Sequence, residues 1–188
     1  MYGVITLNIY ICLFYVMVIV LQAQLKQSKG YVRFVTQVIQ ARRGLKEVKL
    51  IYEEEIKPED KCMFGFFPHG VLAATVLVFM NFNNGPMKNM IGLGSRFLLT
   101  LPFVGLFGRL WGLQAVNAHS IKTLLGKGTN IGLLPGGFEE ATLTVTDEIR
   151  VFIKERKGFI KYALEYNYGI YPVLAVNEHK YFSTFRYF

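Results

Sequence analysis

The residues best placed to do chemistry are a histidine, a glutamate and a basic pair, each set beside glycine in a short motif. Phe64-Gly65-Phe66-Phe67-Pro68-His69-Gly70 closes an apolar run that begins at Cys62. A run of that length reads as a buried strand. Pro68 ends any ladder because it has no N–H, and Gly70 lets a backbone or a ligand come close. His69 is thus a titratable group at a strand end that opens into a further apolar segment, where α/β proteins place their chemistry. A lone histidine is more often a core residue satisfied by its turn, so the company it keeps decides the matter. Leu134-Pro135-Gly136-Gly137-Phe138-Glu139-Glu140 follows a second apolar run. Adjacent glycines admit positive φ and can aim bare N–H groups at one ligand, and two carboxylates come next. Arg156-Lys157-Gly158-Phe159 puts basic side chains at a helix start, a pattern suited to phosphate.

These motifs need elements to hold them. Val48, Leu50 and Tyr52 alternate with polar residues and predict a strand at the sheet edge. Val71 to Phe82 predicts a buried helix, followed by a polar connection over 81–88. Asn89 to Gly94, Leu113 to Val116, Asn130 to Leu134 and Ile170 to Val176 read as short strands, the last carrying Pro172 and ending in Asn177-Glu178-His179. Helices are expected through Ser120 to Leu125 and through Tyr162, Ala163 and Tyr166, and a loop or hairpin over Thr142 to Ile153. Phe97 to Leu113 is apolar but broken by Pro102, Gly105 and Gly108. It reads as a buried helical pair, with a segment dipping into a membrane as the alternative. Short strands alternating with helices indicate an α/β fold with a mixed sheet and flanking helices.

Ahead of that domain, Tyr2 to Ala23 carries no charged residue, and about twenty such residues span a bilayer core. It lacks the basic start and small-residue cleavage site of a signal peptide, so a retained N-terminal transmembrane helix is expected. Residues 1–25 form the anchor, 26–47 an amphipathic connecting helix centred on Tyr31 to Leu45, and 48–188 the catalytic domain. Lys26, Lys29 and Arg33 follow the span and no Lys or Arg precedes it, which puts the remainder in the cytosol. The chain is 52% hydrophobic with a net charge of +8 and a mean hydropathy of +0.31. That balance favours an anionic membrane surface over nucleic acid, for which no motif is visible, and also suits a polyanion such as coenzyme A. Cys12 and Cys62 offer neither a disulfide framework nor a metal cluster. His119 and His179 lack partners at metal-ligand spacing and read as surface or loop residues.

Taken together the blocks resemble one family. Phe64 to Gly70 is similar to the Phe-Gly-Tyr-x-Pro-His-Gly signature of the type-two diacylglycerol acyltransferases, a group that includes monoacylglycerol acyltransferases and wax-ester synthases. Leu134 to Glu140 is similar to its Pro-Gly-Gly-x-x-Glu block and Arg156 to Phe159 to its Arg-x-Gly-Phe block. Pro172 and Asn177-Glu178 fall where the family has its valine-proline strand and the polar residues after it. Order and spacing agree from about Val48 to about Tyr181.

The resemblance implies a glycerolipid-acyltransferase-like α/β domain in the endoplasmic-reticulum membrane, facing the cytosol. Its activity would be transfer of a fatty acyl group from acyl-CoA to a lipid hydroxyl, diacylglycerol first, with monoacylglycerol or a long-chain alcohol as alternatives. Acyl-CoA is a co-substrate and no cofactor or metal is expected. A lipid hydroxyl is a poor nucleophile, so a general base must take its proton, and the resemblance makes His69 that base. Glu140 would orient His69 or stabilise its imidazolium. Pro68, Gly70, Gly136 and Gly137 form the oxyanion or substrate-binding turn. Arg156, Lys157 and Gly158 would hold the CoA phosphates. Ala74 stands where wider glycerolipid acyltransferases have the Asp of His-x-x-x-x-Asp, which argues against a lysophosphatidate acyltransferase. Asn117-Ala118 stands where the family usually has Ser-Arg. Family domains continue past the Asn-Glu strand, so the domain is expected to be incomplete at its C-terminus, with an inactive membrane-anchored lipid-binding homologue as the alternative to an enzyme.

Overall fold

In the computed structural model, residues 2–41, 50–57, 60–71, 73, 76, 87 and 89–180 are described. Five strands form one all-parallel sheet: β1 (Cys62–Phe67), β2 (Ile91–Gly94), β3 (Gln114–Ala115), β4 (Ile131–Leu133) and β5 (Gly169–Leu174), in the order β3-β2-β4-β1-β5. The sheet is therefore parallel rather than mixed. Parallel strands are covered on both faces, which is why β1 and β4 are apolar runs. Along β1 the side chains alternate between two cores. Met63 packs with Ile131, Leu124 and Tyr168 on one side, while Cys62, Phe64 and Phe66 pack with Met87 and Met90 on the other. Gly132 is forced: a Cβ there would lie 3.0 Å from both Met90 Sδ and Phe66 Cε2.

The helices are α1 (Tyr2–Ala23), α2 (Lys29–Ala41), α3 (Arg96–Thr100), α4 (Val104–Trp111), α5 (Ala118–Gly126), α6 (Gly137–Leu143) and α7 (Gly158–Tyr166). In α5, Ile121, Leu124 and Leu125 recur at helical spacing and are buried. Asn117 caps it, its side chain accepting the Ser120 N–H at 2.9 Å. Asn167, in the left-handed region at φ 57°, ends α7 and turns the chain into β5. Tyr168 then donates its hydroxyl to the Leu125 and Thr129 carbonyls, tying that turn to the end of α5.

The expected helical pair over 97–113 is α3 and α4, packed closely because Gly105 meets the Leu99 carbonyl and Gly108 meets the Leu99 side chain. Its outer face is apolar and exposed at Phe97, Phe103, Val104 and Phe107. The end of α1 docks here: Gln22 Nε2 donates to the Thr100 carbonyl at 3.3 Å, and Gln27 Nε2 to that of Trp111 at 3.2 Å. Tyr2–Ala23 is one 22-residue helix, but among the described residues no helix is long and apolar enough to cross a membrane. Of the expected connecting helix, Lys29–Ala41 is helical, and residues 42–47 lie outside the described residues.

Among the described residues the expected edge strand is not seen. Residues 50–52 form no strand, and Ile51 is 82% exposed. Val48 and most of the expected helix from Val71 to Phe82 lie outside the described residues. The segment from Thr142 continues α6 to Leu143 and then makes a Val145–Glu148 bridge, close to the hairpin anticipated.

Candidate active site

Neighbouring parallel strands end on the same side of a sheet, and loops leaving those ends meet. Here β1 lies between β4 and β5, so the turns after the three strands converge. The first delivers Pro68, His69 and Gly70, all buried; the second delivers Gly136, Gly137 and Glu140; the third delivers Glu178 and His179. The His69 and Pro-Gly-Gly motifs, about 70 residues apart in sequence, are thus one structure.

The His69 side chain is 6% exposed and held at both ring nitrogens. Nδ1 lies 2.7 Å from the Gly70 carbonyl and Nε2 lies 2.6 Å from the Gly137 carbonyl. Gly70 has φ 52° and Gly137 φ 57°. Those left-handed conformations, natural to glycine, turn the two carbonyls onto one ring.

Glu140 does not touch that ring. Its carboxylate, on a residue 1% exposed, accepts the His69 backbone N–H at 3.0 Å through Oε1 and the Phe152 N–H at 2.9 Å through Oε2. A buried carboxylate is costly unless such donors meet it. The Glu140 carboxylate thus meets the His69 main chain, and the group facing Nδ1 is a peptide carbonyl. Gly136 is required beneath it, because any Cβ there would collide with Glu140 Cβ. The Gly137 N–H donates to the Leu134 carbonyl at 3.1 Å and is committed to the turn.

Glu139, the next residue along α6, forms an ion pair with Arg156. Its own backbone N–H, followed by the Arg156 guanidinium, holds the Glu139 carboxyl below the usual carboxylate range. Arg156 also lies over the Phe152 ring, 5.2 Å from its centroid. The basic motif is thus fastened to the Pro-Gly-Gly helix through Glu139, with Lys157 and Gly158 exposed at the start of α7. Beside the site, Phe138 meets Phe97 edge-on with ring centroids 6.4 Å apart, both rings open to solvent. Burial pushes the Cys62 thiol up to about 11, and nearby Asp60 adds to the shift.

The sequence motifs did not reveal Phe138, Phe152 or Glu178 as neighbours of this site. Of the two histidines read as surface or loop residues, His119 is exposed and His179 lies buried in the short turn after β5. Among the described residues no group of three His, Cys, Asp or Glu side chains is arranged to hold a metal ion.

A parallel α/β sheet whose strand ends gather a histidine turn and a Pro-Gly-Gly-glutamate turn defines a class that the comparisons make specific. The family model for diacylglycerol acyltransferase matches residues 1–187, and the chain belongs to that family. It is 27% identical to 2-acylglycerol O-acyltransferase 1 of Homo sapiens, over 72% of this chain and 43% of that protein. To the Bos taurus protein of the same name it is 32% identical, with the same coverage. To acyl-CoA wax alcohol acyltransferase 1 of Homo sapiens it is 27% identical, over 70% of this chain and 42% of the relative. The chain thus spans less than half the length of these relatives. No solved structure matches it.

Proposed function

We propose that this chain carries the catalytic centre of an acyl-CoA-dependent O-acyltransferase that moves a fatty acyl group to the hydroxyl of diacylglycerol, forming triacylglycerol. The observation that carries the reading is the His69 ring clasped between the Gly70 and Gly137 carbonyls at the strand ends. In the base form, Nδ1–H donates to Gly70 and leaves the lone pair on Nε2. The acceptor hydroxyl takes the place of the Gly137 carbonyl at Nε2 and gives up its proton as its oxygen attacks the thioester carbon. Nε2–H then has the Gly137 carbonyl within reach, so the imidazolium formed is held by two acceptors. Backbone N–H groups of Gly70 or Gly136, beside Pro68, face the developing oxyanion. The tetrahedral intermediate collapses, the C–S bond breaks, and the departing CoA thiolate recovers the proton from His69. Lys157 and Gly158, with Arg156 behind them, receive the CoA phosphates.

The setting we propose is the endoplasmic-reticulum membrane, with the sheet facing the cytosol. The exposed apolar side chains from Ile9 to Leu21, on all sides of α1, support it, since such a helix needs an apolar surround. So do Lys26, Lys29 and Arg33 just beyond. The names of the relatives support a second acceptor, because two of those above are 2-acylglycerol acyltransferases and one acts on wax alcohol. Membranes carrying the chain, given labelled acyl-CoA and in turn diacylglycerol, 2-monoacylglycerol and a long-chain alcohol, decide between them. The reading expects labelled triacylglycerol as the main product. Transfer to none of the three would refute it.

A further inference from the structure

The acceptor that fixes the His69 tautomer is the Gly70 carbonyl, so whatever holds that peptide holds the imidazole. Two buried glutamates reach the His69-Gly70 turn. Glu140 binds the His69 N–H from the α6 side. From the β5 side comes Glu178, 2% exposed, in the 3-10 turn Glu178–Lys180. That turn is seated by the Ala175 N–H donating to the Phe67 carbonyl at 2.8 Å, and Asn177 enters it at φ 68°. A Cβ on Gly70 would lie 3.2 Å from Glu178 Cγ, 3.5 Å from its carbonyl oxygen and 3.6 Å from Oε1. The Glu178 side chain therefore occupies the space a side chain at position 70 would need, and lies against the peptide whose carbonyl meets Nδ1.

We propose that Glu178 is a positioning residue for His69, acting through Gly70; this rests on His69 being the base. The brace works by reach, because the contacts lie along the side chain to Cγ and Oε1 as well as at its backbone carbonyl. Asp at 178 keeps the charge and withdraws the far atoms by one methylene. Gln keeps the shape and loses the charge. A shift of the ring by a fraction of its hydrogen-bond length is felt in turnover, so Glu178→Asp is expected to lower kcat about tenfold or more with KM for acyl-CoA unchanged. Glu178→Gln is expected to stay within about threefold of the parent.

The experiment compares these two full-length variants in membranes and reads the ring nitrogens of His69 by ¹⁵N NMR in the same proteins. Support is a slowed Asp variant whose two ring signals move together towards those of a freely exchanging imidazole, beside a Gln variant that keeps both. The inverse order, a slow Gln and an intact Asp, would make the effect one of charge and overturn the proposal. So would ring signals unchanged in Glu178→Asp. Full activity in His69→Ala would instead defeat the base assignment, and the ring spectrum would still report whether Glu178 holds the imidazole.

Discussion

At the scale of single residues, the site is built on main-chain groups, and the substitutions that damage it follow from that. Glu140→Ala would strand two N–H donors, the buried one of His69 and the part-buried one of Phe152. The expected loss is about 3 kcal/mol of folding stability, read by denaturant titration, together with acyl transfer. Glu139 acts at the surface, and its role is tied to pH. Its carboxyl is depressed in the folded state, so its contribution is present above the ordinary value of 4.5 and is lost as pH falls through the lower folded value. Glu139→Gln should therefore shrink the drop in melting temperature on going from neutral to acid pH, by a small amount because the pair is solvated. An unchanged drop would contradict the assignment. Cys62, buried and with its thiol pushed up to about 11, should resist alkylation at mildly alkaline pH in the folded chain and react once the chain is unfolded. Mass spectrometry of the modified chain reads both.

At the scale of elements, parallel strands placed side by side explain why distant motifs meet, and they also explain what the sequence could show. Strands β1 and β4 were legible because burial on both faces makes them continuous apolar runs. The placement of His69 and Glu140 in glycine turns at the ends of β1 and β4 was legible because each turn follows such a run. That Glu140 binds a backbone N–H, and that Glu178 reaches Gly70, depends on strand order, which no local pattern encodes. The false edge strand arose because Leu50 and Tyr52 alternate with neighbours as a strand would. In the structure Leu50 packs on the core beside Phe64 and Phe66 while Ile51 faces solvent, a loop laid over the sheet. Close helix packing gives a sharp contrast between two glycines. Gly105→Ala drives a methyl into the Leu99 carbonyl and should cost about 1–3 kcal/mol. At Gly158 a Cβ meets nothing within 4 Å, so Gly158→Ala should leave stability equal or raised by about 0.5 kcal/mol. Thermal melts of both variants test the pair.

At the scale of the whole molecule, exposed apolar side chains on α1, on α3 and α4 and at Phe138 lie on elements that contact one another. α1 docks through Gln22, and the link after it through Gln27, onto α3 and α4, and Phe97 of α3 meets Phe138, which follows Gly137. Alkaline carbonate should then fail to extract the chain from membranes, and deleting residues 2–23 should release it; extraction of the intact chain would count against the anchor. The central claim is that an imidazole clasped by two glycine carbonyls removes the acceptor's proton. It is tested most directly by initial rates of labelled triacylglycerol formation for the parent chain and His69→Ala at saturating acyl-CoA and diacylglycerol. The account predicts a fall of about 10²-fold or more in kcat with acyl-CoA still bound. A His69→Ala variant that turns over at the parent rate would contradict it.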